Sequence, residues 1–397
     1  MDQTTTDGAV RPRFHGTARA MFPLVLKGLF LTVVTLGLYR FWYQTEVRRF
    51  LWNNTEVDGD LLEYTGRGVE LFIGFLIALA VLIPAYGAIF LIATLAGPIA
   101  GLVVQFVATL GIVVLAQYAL YRARRYRLTR TIWRGVRFQQ TGSGWTYAWR
   151  SIAWALLTLL TLGLALPFMR ASLERYKLSH TWYGDQQGAF SATGGQLFKR
   201  GILLWLVAVA LIFGPIAIIV VYGTLDPDPT GPGFSAAHWI INLTIFGVAV
   251  LVPLYLAIEF RWWANGCSVG PATARCDLGL FAFLKVYLAY AGIALLFFIV
   301  AGLVAAVVGY AFYAAGLLGD GAEPPLAAII LAVMAYFIAA LIFAALWQLF
   351  GVRPIWRKSF ESVAIAGLGA LTAAQSGEPP ANAFGEGVAD ALDFGGF

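Results

Sequence analysis

Six long apolar runs constrain this chain before anything else in it does: Leu71 to Thr94, Pro98 to Tyr121, Gly201 to Tyr222, Ala237 to Ile258, Ala289 to Gly316 and Leu326 to Phe350. None contains Asp, Glu, Lys or Arg. A hydrocarbon core about 30 Å thick is crossed by roughly 20 helical residues, so each run is long enough to span. A soluble fold could not hide them. Of the 397 residues, 60% are hydrophobic and 12% charged, against about 45–50% and about 25% in soluble domains.

Two further stretches, Phe22 to Tyr43 and Ala148 to Met169, decide the topology. Each carries Thr-Leu-Gly-Leu near its middle, at Thr35 to Leu38 and at Thr161 to Leu164. Glycine there, with Phe41 or Pro167 beyond it, suits a bend, with Thr35, Gly37, Thr161 and Gly163 forming it. The same units continue in register. Arg49-Phe50 and Arg175-Tyr176 each follow their glycine by twelve residues, and Thr55 or Thr181 follows six residues after the arginine. A third copy of the polar part starts at Arg125-Tyr126 and runs through Thr131, Gly135, Gly142 and Gly144; degenerate copies start at Arg261 and Arg353. Phe14-His15-Gly16-Thr17 matches the tail of such a unit. Five polar units and a partial one therefore alternate with apolar segments.

Lys and Arg cluster in six stretches: before Phe22, Arg40 to Arg67, Arg122 to Arg150, Arg170 to Arg200, Arg261 to Lys285, and from Arg353 onward. Outside them lies Lys27 alone. The connectors 95–97, 223–236 and 317–325 contain no basic residue, and the last two carry Asp226, Asp228, Asp320 and Glu323. Basic loops face the cytoplasm. Eight full spans would put basic loops on both sides. If Phe22 to Tyr43 and Ala148 to Met169 enter and leave on one side, all of them are cytoplasmic. The expected fold is thus an all-α polytopic bundle of six spanning helices with two re-entrant or interfacial ones, eight full spans being the alternative. Its parts are a cytoplasmic segment (1–21), repeat 1 (22–147), repeat 2 (148–277), a degenerate repeat 3 of two spans (278–358) and a cytoplasmic tail (359–397). No cleavable signal peptide is expected, because the first twenty residues lack an apolar core.

The "TLGLY" and "FW" of Thr35 to Trp42, the repeated "TLGL", the arginines of "RRF" and "ERY", and the "GEGVADALDFGGF" tail resemble the YjgN family of bacterial inner-membrane proteins of unknown function. The resemblance implies an inner-membrane location and a fold, and supplies no activity or catalytic residues.

No nucleophile, paired-carboxylate or nucleotide-binding pattern is present, so no enzyme and no cofactor are expected. Cys267 and Cys276 fit no zinc spacing, and His15, His180 and His238 are scattered, which argues against a metal site. The distinctive chemistry is arginine interleaved with aromatics, which suits phosphate and the headgroup depth. The candidate contacts to an anionic headgroup or ligand are Arg49, Arg124, Arg125, Tyr126, Arg175, Tyr176 and Arg261. Anchoring to anionic phospholipid and a headgroup pocket between repeats both fit these residues; nucleic acid does not, because the basic loops are short and tied to the membrane. The expected function is transport or handling of an anionic, lipid-like molecule, with a non-transporting scaffold as the alternative. The tail, Ser376 to Phe397, carries Glu378, Glu386, Asp390 and Asp393 with no basic residue, and is expected to dock on the basic face or on a protein partner.

Overall fold

The computed structural model describes residues 8–225, 232–316 and 326–371. The acidic tail and the centres of the two acidic connectors lie outside them. Among the described residues, six helices are long and apolar enough to cross a membrane. They are α3 (Gly68–Leu95), α4 (Pro98–Thr129), α7 (Gly194–Leu225), α8 (Pro232–Gly266), α9 (Ala282–Ala314) and α10 (Leu326–Trp347). The last continues through a π turn, Gln348–Val352, into α11 (Arg353–Glu361).

The two shorter stretches fold as helical hairpins, α1 (Ala18–Val34) with α2 (Arg40–Asn53), and α5 (Gly144–Leu160) with α6 (Leu166–Ser179). Their tips share one geometry. Leu36 and Leu162 both lie at φ +50°, and Gly37 and Gly163 both at φ +91°, a region that glycine enters without a Cβ penalty. Thr35 Oγ1 donates to the Leu31 carbonyl at 2.7 Å and accepts from Tyr39 N at 2.9 Å. Thr161 repeats this with Leu157 at 2.8 Å and Ala165 N at 3.1 Å. Gly37 N and Gly163 N each donate to a carbonyl five residues back at 2.7 Å. A reversal so satisfied from within needs no water, and its leucines are free to face hydrocarbon.

The bundle expected from the apolar runs is present, and the polar units add strands at one end of it. Four are hairpins: β2 (Thr55–Val57) with β3 (Asp60–Leu61), which continues into β4 (Glu63–Tyr64); β5 (Thr131–Trp133) with β6 (Val136–Gln140); β7 (Thr181–Tyr183) with β8 (Gln186–Phe190); and β9 (Cys267–Val269) with β10 (Ala272–Cys276). Positive φ at both central residues, Asp58-Gly59 and Arg134-Gly135, is the requirement of a type I′ turn. Each hairpin then pairs with the next: Tyr64↔Thr131, Gln140↔Thr181, Phe190↔Cys267 and, through β11 (Val363–Ala366), Cys276↔Val363.

The fifth unit is completed from far upstream. Val10 exchanges two hydrogen bonds with Ile365, each 2.8 Å, and β1 (Arg13–Phe14) pairs with β2 in the register Phe14↔Thr55. Phe14 thereby occupies the place that Tyr64, Gln140, Phe190 and Cys276 hold in the other units. The pairings close into a circuit with no free edge between neighbouring units, which removes the usual hazard of an exposed edge. Its inside is filled by Val57, Leu62, Trp133, Tyr183, Ala272 and, from a 3-10 turn after β11, Leu368 and Leu371.

This register also locates the fifth copy. Strands begin six residues after Arg49, Arg125, Arg175 and Arg261, and β11 begins six residues after Arg357, not after Arg353. Sequence similarity there is too weak to choose between two arginines one helical turn apart; strand pairing decides.

Candidate functional site

Each incoming helix delivers its arginine one turn before the helix ends, and the following residue of the register caps that end. Thr55, Thr131 and Thr181 donate their hydroxyls to the carbonyls of Leu51, Arg127 and Lys177 at 2.8–2.9 Å. That satisfies acceptors which helix termini otherwise leave open. With the helix ends fixed to the strands in this way, equivalent residues face equivalent directions. Arg49, Arg175, Arg261 and Arg357 are exposed, and Arg125 is half-buried. Together they are the collar, each standing six residues before a strand of the circuit. Arg49 Nη2 donates to the Gly66 carbonyl at 3.0 Å and borders a shallow cleft of about 430 Å³ lined also by Asn53 and by Leu61 to Thr65. Arg357 pairs with Glu361 at 3.0 Å, and Arg125 Nε has no hydrogen-bond partner.

The other predicted contacts face inward. Tyr126 is fully buried, its hydroxyl donating to Glu70 Oε2 at 2.6 Å. Tyr176 is buried, accepting from Ser143 N at 3.0 Å and donating to the Ser143 carbonyl at 2.9 Å. Arg124, one residue before the collar position, donates to Gln140 Oε1 at 3.1 Å and to Thr181 Oγ1 at 3.2 Å. Two neighbouring residues on a helix differ by about 100° in direction, so one register divides into a solvent side and a core side. Thr35, Gly37, Thr161 and Gly163 sit in the two tips, at the other end of α2 and α6 from the collar.

Beside Arg124 lies an ionic cluster that sequence reading missed. Glu174 and Lys177 of α6 pair at 2.5 Å, with only 14% and 19% of their side chains exposed. Trp263 Nε1 of α8 donates to the second Glu174 oxygen at 3.0 Å. Arg170 pairs with Glu259 of α8 at 3.0 Å. Burial pushes the Glu174 carboxyl up, but Lys177 and Arg124 outweigh it and hold the group below its ordinary value. Burial also lowers Lys177, against the pull of Glu174. No local pattern in the sequence joins these residues, because Glu174 and Trp263, like Arg170 and Glu259, are 89 positions apart.

Burial likewise pushes the Cys267 thiol up, which disfavours the thiolate that a metal or an electrophile would need. Among the described residues no three of His, Cys, Asp and Glu are placed to hold a metal ion.

A family of bacterial proteins matches residues 9–278, from just before β1 to just past β10. The chain belongs to DUF898, bacterial proteins of unknown function. Within curated proteins, it is similar to the inner membrane protein YjgN of Escherichia coli O157:H7, 30% identical over 155 residues, and to that of strain K12, 28% identical over 155 residues. Either alignment takes in 39% of this chain and 36% of the relative's length. No solved structure matches the chain. Inner-membrane relatives and six apolar helices agree on a polytopic membrane protein of the DUF898 family.

Proposed function

We propose that this DUF898 protein handles an anionic, lipid-like molecule at the cytoplasmic face of the bacterial inner membrane, without catalysing a reaction on it. One observation carries the reading: five arginines stand at one register position, four of them exposed and one half-buried, around a closed strand circuit. Guanidinium forks at a common level suit phosphate oxygens. In this reading the strand circuit and residues 8–17 lie in the cytoplasm, as the basic loops require. The α1–α2 and α5–α6 hairpins re-enter the bilayer from that side, their leucine tips embedded and their tip backbone satisfied internally.

A scaffold is the second reading. It is favoured by how little the spans bury against one another, no more than 11% of any spanning window, which leaves wide apolar faces for lipid or for other proteins. Native mass spectrometry of the detergent-solubilised chain with added phosphatidylglycerol separates the two. Alanine at Arg49, Arg175 and Arg261 together should remove several bound lipids at unchanged thermal stability, and lysine should restore part of the loss. Unchanged lipid occupancy would leave the scaffold reading.

A further inference from the structure

One backbone hydrogen bond recurs at every junction of the strand circuit. The residue that follows each unit's return strand donates its amide to the carbonyl at the end of the next incoming helix. The bonds run from Thr65 to Arg130 at 2.9 Å, Thr141 to His180 at 2.8 Å, Ser191 to Gly266 at 3.0 Å, Asp277 to Ser362 at 3.1 Å, and His15 to Asn54 at 2.8 Å. By this measure the fifth unit is joined as well as the other four.

It differs in how its return strand is tethered. In the first four units a turn of two residues ties that strand to its incoming strand, and a helix follows it closely. Residues 9–14 have no such turn. Their partner β11 lies near the other end of the described residues, and among those residues their covalent tie to the fold runs through Gly16 and Thr17 into α1.

Leaving is therefore a local event for this strand alone. A return strand tied at both ends cannot depart without disturbing its incoming strand and the helix behind it, so its opening waits on a larger unfolding. Departure of residues 9–14 breaks only their own contacts. Those are the two 2.8 Å bonds between Val10 and Ile365, the pairing of β1 with β2, and the burial of Pro12 and Phe14. The contacts of Arg11 with Asp277 at 2.6 Å and of His15 with Glu56 at 2.7 Å lie at the surface, where water and salt leave them little weight. A hinge is also present. Gly16 folds against the Phe14 ring, which a Cβ there would strike, and Arg353 Nε donates to the Gly16 carbonyl at 3.2 Å.

We infer that residues 9–16 are an exchangeable strap, which closes the circuit by occupying a strand-acceptor groove between β2 and β11 and opens it by leaving. The groove takes an extended segment by backbone pairing along both edges, with one aromatic ring seated in the core of Met21, Leu51 and Trp356. This goes beyond the lipid reading and stands independently of it.

Hydrogen exchange of the full chain in detergent provides the test, because the five junction amides make nearly the same bond and differ in tether. The His15 amide should be protected at least about tenfold less than those of Thr65, Thr141, Ser191 and Asp277. A fluorescent peptide of residues 8–17 should be captured by the full chain, and the same peptide carrying Phe14→Ala should not. With Cys267 and Cys276 replaced by alanine, Arg13→Cys with Glu56→Cys puts thiols on directly paired residues, whose Cα atoms stand about 5.5 Å apart, within disulfide reach. Oxidation should bring His15 to the protection of the other four amides and abolish peptide capture, and reduction should reverse both. If that pair does not oxidise, Gly16→Ala decides. Its methyl displaces the Phe14 ring and should increase capture, whereas Gly66→Ala, which crowds Tyr64 in the same way, should not, because that strand is tethered. Equal protection at all five amides overturns the strap, and so does peptide capture that survives the oxidised lock.

Discussion

The α1–α2 and α5–α6 hairpins share their tips almost atom for atom and differ in nearly everything that packs below them. At the positions corresponding to Glu174 and Lys177 of α6, α2 has Arg48 and Leu51. Leu51 is 1% exposed, in an apolar core with Phe14, Met21, Val352 and Trp356, whereas Lys177 belongs to the ionic cluster against α4 and α8. The first hairpin's own ion pair, Lys27 with Glu46 at 2.9 Å, runs along its surface; the corresponding residues of the second are Ala153 and Ser172. A tip is built from hydrogen bonds within nine consecutive residues and so repeats with its sequence. The flanks are built from neighbours, and the neighbours differ.

The sharpest way to break the comparison between short and long hairpins is accessibility, where the expected effect is all-or-none. With Cys267 and Cys276 replaced by alanine, a cysteine at Ala96, in the α3–α4 connector, should react with an impermeant thiol reagent in intact cells. One at Asp58 or Gln187 should react only in inverted vesicles, and one at Leu36 or Leu162 in neither. Labelling of Leu36 or Leu162 in intact cells would make those hairpins full spans. Thr55 and Gln140, 0% and 1% exposed, are unsuitable reporters because no reagent reaches them from either side.

Next in size is the ionic cluster, which exists on one hairpin only. Glu174→Ala leaves Lys177 and Arg124 enclosed without their carboxylate, and removing one partner of a buried pair costs about 3–5 kcal/mol. Its loss should appear as a large drop in thermal midpoint in detergent. Glu46→Ala on the first hairpin, breaking a pair whose lysine is 55% exposed, should cost under about 1 kcal/mol. The pH dependence follows in sign. The Glu174 carboxyl is held below its usual value of 4.5, so its stabilisation is complete above that pH and is lost as pH falls through the depressed folded value. Glu174→Gln should flatten that acid limb; an unchanged limb would show that the cluster contributes nothing to it.

The smallest effect tests what the hairpins share. Thr35→Ala and Thr161→Ala each delete a hydroxyl that satisfies both a carbonyl and an amide of the tip, and each should cost about 1–2 kcal/mol. The costs should be equal. A clear difference between the two would mean that tertiary contacts such as the Trp205 bond to Leu162, which the first tip lacks, share in holding the reversal.

Much of this was legible in the residues. The spans follow from uninterrupted apolar length, the tips from Thr-Leu-Gly-Leu, and three members of the collar, Arg49, Arg125 and Arg175, from a fixed spacing between arginine and threonine, because hydropathy, helix reversal and helix capping all act within a few turns of chain. The strands escaped notice. They are two to five residues long, too short for a period of two to stand out from the polar units around them, though Asp58-Gly59 and Arg134-Gly135 marked the turns.

Hydropathy, reversal and capping are local properties, and residues alone therefore show which segments can cross a membrane, where two of them fold back, and where four of the five collar arginines recur. Which side of each helix meets which neighbour depends on the assembled fold. Closure of the circuit joins Val10 to Ile365, and Glu174 finds Trp263 on another helix. Such contacts link positions tens to hundreds of residues apart. Their chain-entropy cost is met only when the whole ring assembles, and no window of sequence contains both partners.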